Sequence, residues 1–180
     1  MLLIDSSDDH RSVQFHSEKI FLKDLIDQVK PESNNARISL YTFGRSAYSQ
    51  FTLGMYSSAA EMQIAVEYMW YATGNGNADT AIQSTILDAF KNGKGERACI
   101  PNILIVLTHS QISNTEIVSA IAHTLEDKRI QCIFINMAGT NANADMLTLT
   151  NTMGAILTVN DFRTLEAAAK NVTQMMYASK

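Results

Sequence analysis

The sequence is short of several things at once, and each shortage closes off a class of protein. No apolar run in the 180 residues approaches the ~20 needed to cross a bilayer as a helix. Met1-Leu2-Leu3-Ile4 meets Asp5 at once, too early for the apolar stretch of a signal peptide. If the natural protein is secreted, these residues are a domain excised from a longer chain. Charged side chains make up only 18%, against about 25% in ordinary soluble proteins. Their balance of −4 argues against general affinity for nucleic acid or anionic membranes. The few basic clusters, such as Lys91, Lys94 and Arg97, share their loop with Glu96 and read as solvated. Two cysteines say little about compartment. Cys132 falls inside an apolar strand pattern and Cys99 just before another, so both are expected to be buried free thiols. Asn171-Val172-Thr173 is the one glycosylation sequon, a bare match on a predicted helix.

What is present is an alternation of strand and helix signals across one domain. Leu2–Asp5 is a short continuous apolar strand. Residues 14–29 place Phe21, Leu25 and Val29 at helical spacing, and the pattern stops at Pro31. "ARISLYTFG" alternates around Ile38, Leu40 and Thr42, and "SAYSQFTL" reads as its hairpin partner. Helices are predicted over about 58–72 and 79–91, separated by the loop "TGNGNA". Tyr68, Met69, Trp70 and Tyr71 are then expected mostly to pack that first helix. "NILIVLTH" suits a central strand, Asn114 caps a helix, "IQCIFINM" is the next strand, and a short helix near 143–152 leads to "AILTV". Asn160-Asp161 caps one last helix carrying Phe162, Leu165, Ala169, Val172 and Met176.

This order implies a doubly wound α/β fold, with a mostly parallel sheet, one antiparallel edge strand and helices on both faces. In such folds ligands bind outside the carboxyl ends of the strands, where strand order reverses. If the first strand and "NILIVLTH" flank that reversal, the loops starting at Asp5 and His109 share one crevice. "LLIDSSDDH", residues 2–10, then places hydroxyls and carboxylates at its edge. They either hold a cation, cap the following helix, or are the remnant of a site. Other chemistries fit less well. Asp8 and Asp9 suggest a phosphorylatable receiver, yet "LYTFG", "IVLTHS" and "FINMAG" supply neither its further aspartate nor its lysine. "GNGNA" follows a helix rather than the first strand, so it is a turn and not a dinucleotide loop. Ser110 is merely adjacent to His109. Ser6 or Ser7 meeting His109, with Asp5 behind, would be a hydrolytic arrangement, and polar groups satisfying strand and helix ends is the favoured reading. His10, His16 and His123 show no ligand spacing.

"LLIDSSDD", the glycine-rich "GNGNADTAI" and "ILIVLTHSQIS", in this order, with "FTLGMYSSAAEMQIAVEYM" and "GERACIPNILIVLT", resemble a von Willebrand factor A-type domain of the extracellular-matrix and adhesion kind. The resemblance covers residues 1–180 as one domain. It implies a Rossmann-like fold and a non-catalytic, secreted binding module for extracellular protein ligands, collagen among them, with no nucleic-acid or membrane partner. The alternative is an intracellular A-type domain that scaffolds a protein complex independently of metal.

Such domains often carry a metal-ion-dependent adhesion site with the pattern Asp-x-Ser-x-Ser, a threonine in the glycine-rich loop, and an aspartate after the fourth strand; a ligand carboxylate completes the shell. In this sequence Asp5 and Ser7 match, Asp9 stands at the second serine, Gly76 at the threonine, and His109 at the aspartate. The site is therefore degenerate. Magnesium wants about six oxygens at ~2.0–2.1 Å; Gly76 offers no side chain, and imidazole suits zinc, copper or nickel better. A register shift would let Asp79 or Thr80 replace the missing ligand. The expected binding face comprises residues 5–10, 74–80 and 109–114, with Asp5, Ser7, Asp9, Gly76, Asp79 and His109 as its candidate residues. Asp5, Ser7 and Asp9 would contact either a divalent cation (Mg, Mn or Zn) or a basic ligand side chain. His109, protonated beside the carboxylates, would neutralise the crevice in place of a cation and make the face sensitive to pH. An ion-free crevice is the expectation. Titration with magnesium, manganese and zinc checks it: magnesium binding at micromolar strength, abolished by Asp5→Ala, would overturn it.

Overall fold

The computed structural model describes residues 1–7, 12–33, 36–91, 95–97, 100–137, 144–150 and 154–178. Strands β1 (Leu2–Asp5), β2 (Leu40–Phe43), β3 (Ala47–Phe51), β4 (Asn102–Thr108), β5 (Ile130–Met137) and β6 (Ala155–Val159) form one sheet in the order β3-β2-β1-β4-β5-β6. Every neighbouring pair is parallel except β2 with β3, which is antiparallel at the edge. This is the doubly wound architecture expected from the sequence. Strand order reverses between β1 and β4, so the tips of the first strand and of "NILIVLTH" are neighbours.

The apolar runs explain the layering. A parallel strand covered on both sides has no wet face, and all eight residues of β5 are buried. Helices α1 (Ser12–Val29), α2 (Ala59–Glu67), α6 (Phe162–Glu166) and α7 (Ala169–Ala178) cover one face. There Phe21, Leu22, Leu25 and Ile26 of α1 meet Leu2 and Ile4. Helices α3 (Ala78–Ala89), α4 (Thr115–Asp127) and α5 (Ala144–Thr150) cover the other, where Ile82, Ile86, Ile121 and Leu125 pack with Leu3, Leu104 and Val106. Alternate residues of β1 thus feed two cores, as the two-residue period of a strand demands.

Four expectations need correction. The alternation around Ile38, Leu40 and Thr42 began too early and did not show two covered faces: β2 begins at Leu40 and all four of its residues are buried, because Leu40 packs into one core and Tyr41 and Phe43 into the other. The helix predicted over 58–72 starts with a capping box at Ser58 and Glu61 but ends at Glu67. Beyond it the backbone bonds elsewhere: the Trp70 amide donates to Gln50 Oε1 at 3.4 Å and the Ala72 amide to Ser6 Oγ at 3.0 Å. Tyr68 and Trp70 do not pack that helix; they are 82% and 60% exposed, while Met69 is buried. Trp70 lies beside Tyr48 instead, with ring centroids 5.4 Å apart. The single last helix is two. Asp161 caps α6 through Thr164, the chain turns at Ala167-Ala168, and α7 follows. That turn keeps Leu165, Ala168, Ala169 and Val172 all buried. Cys132 is a buried free thiol, its pKa pushed up by burial; Cys99 lies outside the described residues. His16 and His123 are exposed, and His10 is outside. No helix among the described residues is long and apolar enough to cross a membrane.

Tyr41 pins α3 to the sheet. Its ring is buried and its hydroxyl donates to Asp88 Oδ2 at 3.0 Å. Burial, then the hydrogen bond and charge of Asp88, push its pKa from 10.0 to about 12. A raised phenol pKa means that folding holds the proton. The stabilisation is therefore complete below pH 10 and is lost as pH rises through about 12. Denaturant unfolding across that window should show wild type losing stability more steeply than Tyr41→Phe, which has no phenol to ionise there.

Candidate functional site

The tips of β1 and β4 meet at one carboxylate. Asp5 ends β1 fully buried, with 0% exposure. Its Oδ2 accepts from Thr108 Oγ1 at 2.9 Å, from the Ser110 amide at 3.2 Å and from Ser110 Oγ at 2.5 Å. His109 Nδ1 stands 3.2 Å from the same oxygen. Asp5 Oδ1 accepts from the Ser7 amide at 3.3 Å, and Ser7 Oγ lies 3.2 Å from His109 Nε2. The neighbouring hydroxyls tie this tip to the rest of the rim. Ser6 Oγ donates to Phe43 O at 3.3 Å and accepts from the Ala72 amide, and Tyr71 donates its hydroxyl to Ser7 O at 2.5 Å.

Two glycines allow the third wall to approach. At Gly44, a Cβ would fall 2.6 Å from Thr73 O. Without one, the Arg45 amide reaches Thr73 O at 3.3 Å and the Asn77 amide reaches Gly44 O at 3.3 Å. This docks residues 72–77 onto the end of β2. At Gly76, a Cβ would overlap Ser110 Oγ and stand 3.2 Å from Ser7 Oγ and 3.3 Å from Asp5 Oδ1. The Ser110 hydroxyl therefore fills the volume in which any side chain at 76 would have to start.

The structure thus brings Asp5, Ser7, Gly76 and His109 together. Asp9, with the rest of residues 8–11, lies outside the described residues. Asp79 is not brought to Asp5: its Oδ2 accepts from the amides of Ser113 and Asn114 at 3.3 and 3.2 Å, at the start of α4. Thr80 is exposed and its amide donates to Asn77 Oδ1, so no register shift delivers either residue as a replacement ligand. Asp5 and Ser7 are 0% and 1% exposed and form the floor of the crevice. Ser7, His109 and Asp5 do fall in the order of a nucleophile, base and carboxylate, but a hydroxyl so buried does not present itself to a substrate.

Thr108 and Ser110 as partners of Asp5 were not foreseen. The signal for Thr108 was register: Ile4 pairs with Leu107, so the next residues, Asp5 and Thr108, are opposite.

These donors also test the fit of a hard cation. A carboxylate must turn a lone pair toward the ion, yet one oxygen of Asp5 is committed to three hydrogen bonds and a contact with imidazole. The position beside Gly76 contributes no oxygen and is occupied by Ser110. Among the described residues no three His, Cys, Asp or Glu side chains form a metal-holding group. The described residues do not fit an octahedral magnesium or manganese ion.

Comparison with known proteins shows the family and the fold. The family model for the von Willebrand factor type A domain matches residues 1–171. The chain is 24% identical over 180 residues to the collagen alpha-4(VI) chain of Mus musculus, covering 100% of this chain and 8% of that one. It is 31% identical over 111 residues to matrilin-1 of Bos taurus, covering 60% and 20%. The chain therefore spans about a fifth or less of the length of these relatives. Among solved structures, proximal thread matrix protein 1 from the mussel byssus superposes with a TM-score of 0.82 at 16% identity, over 97% of this chain and 47% of that one; it is described with a zinc-occupied MIDAS motif.

The packing at Gly76 makes a reciprocal prediction. Gly76→Thr, which installs the family's threonine, should cost about 1–3 kcal/mol through overlap with Ser110. Ser110→Gly in that background should recover part of the loss. A double-mutant cycle by denaturant unfolding reads the coupling; additive effects would mean that the two side chains do not compete for the same space.

Proposed function

Because the chain belongs to the von Willebrand factor type A domain family, we propose that it is a non-catalytic binding module of extracellular matrix or cell adhesion. It takes protein ligands, collagen among them, at the crevice outside the carboxyl ends of β1 and β4, without a divalent cation. The observation that carries this reading is the set of three hydrogen bonds that Asp5 Oδ2 accepts from Thr108 and Ser110, with His109 in contact. Those groups supply from within what a metal supplies in a complete adhesion site. With Asp5 and Ser7 beneath the surface, His109 and Ser110, both partly exposed, meet the ligand. The matrilin and collagen VI likenesses support the matrix setting, and the exposed Asn171 on α7 is compatible with it. The non-catalytic reading is supported by the burial of Ser7, the hydroxyl that lies against His109 Nε2, and by the matrix relatives.

A second reading, assembly of a complex through another surface, is favoured by the exposed Tyr68 and Trp70 beside Tyr48. Surface plasmon resonance against a panel of collagens and other matrix proteins separates the two. Under the first, binding is equal in magnesium and in EDTA and is weakened about tenfold or more by His109→Asn, the loss of roughly one buried polar contact. Binding that EDTA abolishes would overturn the metal-free reading. Binding that survives His109→Asn and Ser110→Ala but fails in Trp70→Ala would move the interface to the aromatic surface.

A further inference from the structure

A polar groove lies beside the crevice, between the first turn of α3 and the start of α4. Asp79 is 6% exposed, and only one of its oxygens is used: Oδ2 accepts from the Ser113 and Asn114 amides. Its Oδ1 is buried and has no hydrogen-bond partner among the described residues. The residue lines a cavity of about 510 Å³ together with Asn75, Gln111 and Ser113, with Arg45 also on its wall. The groove's other amides are already engaged, since Asn77 Oδ1 caps Thr80 and Asn114 Oδ1 caps Ile117. A carboxylate in the first turn of α3 suits the positive end of that helix, but the two amide contacts do not use its second oxygen. Asn114 already N-caps α4, and one amide oxygen at position 79 would serve Ser113 and Asn114 as well. A buried charged oxygen left without a donor is costly, and a cationic donor is the group that offsets that cost best.

We propose that this groove receives a basic side chain of a protein ligand, an ammonium or guanidinium, anchored on Asp79 Oδ1. The inference rests on the proposed protein-binding function and adds the chemistry of the ligand. One N–H meets the buried oxygen, and the remaining N–H groups meet the side-chain carbonyls of Asn75 and Gln111 along the wall. Because Oδ2 is held by α4, a two-pronged carboxylate–guanidinium pair is not available, so lysine and arginine are both suitable. Arg45, exposed and without an ion-pair partner among the described residues, keeps the rim positive; a ligand segment therefore enters as a single basic side chain rather than as a basic cluster.

The test uses three probes on the whole chain by amide-resolved NMR titration: acetyl-arginine amide, acetyl-lysine amide and the neutral isostere acetyl-citrulline amide. Arginine or lysine should shift the Ser113 and Asn114 amides, with citrulline at least about tenfold weaker, the worth of one charge-assisted hydrogen bond. Asp79→Asn, which keeps an oxygen for both amides, should erase the preference while its spectrum stays dispersed. Equal binding of citrulline and arginine, or no shift with any probe, would overturn the proposal, and this comparison needs wild type alone if the variant fails to fold. Loss of binding in Arg45→Ala with retention in Asp79→Asn would also overturn it, since the groove would then be reading an anion. His109→Asn should leave the basic probes unaffected, so failure of the crevice reading and failure of the groove are told apart.

Discussion

The tips of β1 and β4 are held together by a single buried carboxylate. Withdrawing Asp5 from water costs several kcal/mol, and among the described residues no lysine or arginine is shown paired with it. The offset comes from hydrogen bonds to a charged acceptor, each worth about 1.5–3 kcal/mol, arriving from Thr108 and twice from Ser110, with His109 in contact. These groups lie at the last residue of β4 and on the loop that leaves it. The arrangement therefore works only because the sheet order puts β4 beside β1. Topology brings the tips together, and Asp5 makes their closeness specific. Removing the carboxylate would leave Thr108 and Ser110 facing a void, while removing its donors would leave a bare buried charge.

From that constraint the rest of the rim follows. Ser110 cannot both serve Asp5 and leave space at position 76, so glycine is the residue that fits there. A loop without a side chain at its closest point then needs other anchors, which Ser6 and Gly44 provide through Ala72, Thr73 and Asn77. The residues at 76, 109 and 110 are in this sense coupled. The oxygen absent from the glycine-rich loop reappears as a hydroxyl on the opposite loop, and the absent aspartate becomes an imidazole placed against the remaining carboxylate. A threonine at 76 or an aspartate at 109, introduced singly, would meet an environment built for the alternative.

The sequence made the architecture legible because the strands are strongly apolar and the helices are punctuated. "NILIVLT", "IQCIFINM", Pro31, Asn114 and Asp161 each mark a boundary through a known backbone effect. The same signals failed where tertiary partners overrode them. After Glu67 the chain retains helical spacing, yet Ser6 and Gln50 take its backbone amides. At Ala167-Ala168 nothing in the sequence breaks the helix, and burial of Leu165 and Val172 on both sides of the turn decides it. The convergence of Asp5, Ser7, Gly76 and His109 at the candidate site was legible because the resemblance fixes their spacing. Ser110 was visible in the sequence only as the neighbour of His109. Its role as donor depends on a side-chain direction that a linear motif does not encode, and the same is true of Asp79, whose partners belong to α4.

The two neighbouring carboxylates divide the work by how completely each is satisfied. Asp5 is surrounded by donors and is the better structural element for it, since a fully bonded buried charge has no affinity left to offer. Asp79 has given one oxygen to α4 and kept the other. A binding site needs the second condition and a stable scaffold needs the first. An adhesion site that depends on metal obtains its unsatisfied charge from the ion and so attracts an acidic ligand. Under the metal-free proposal no ion supplies that charge; the unsatisfied group beside the crevice is Asp79 Oδ1, and the group that offsets it best carries the opposite sign.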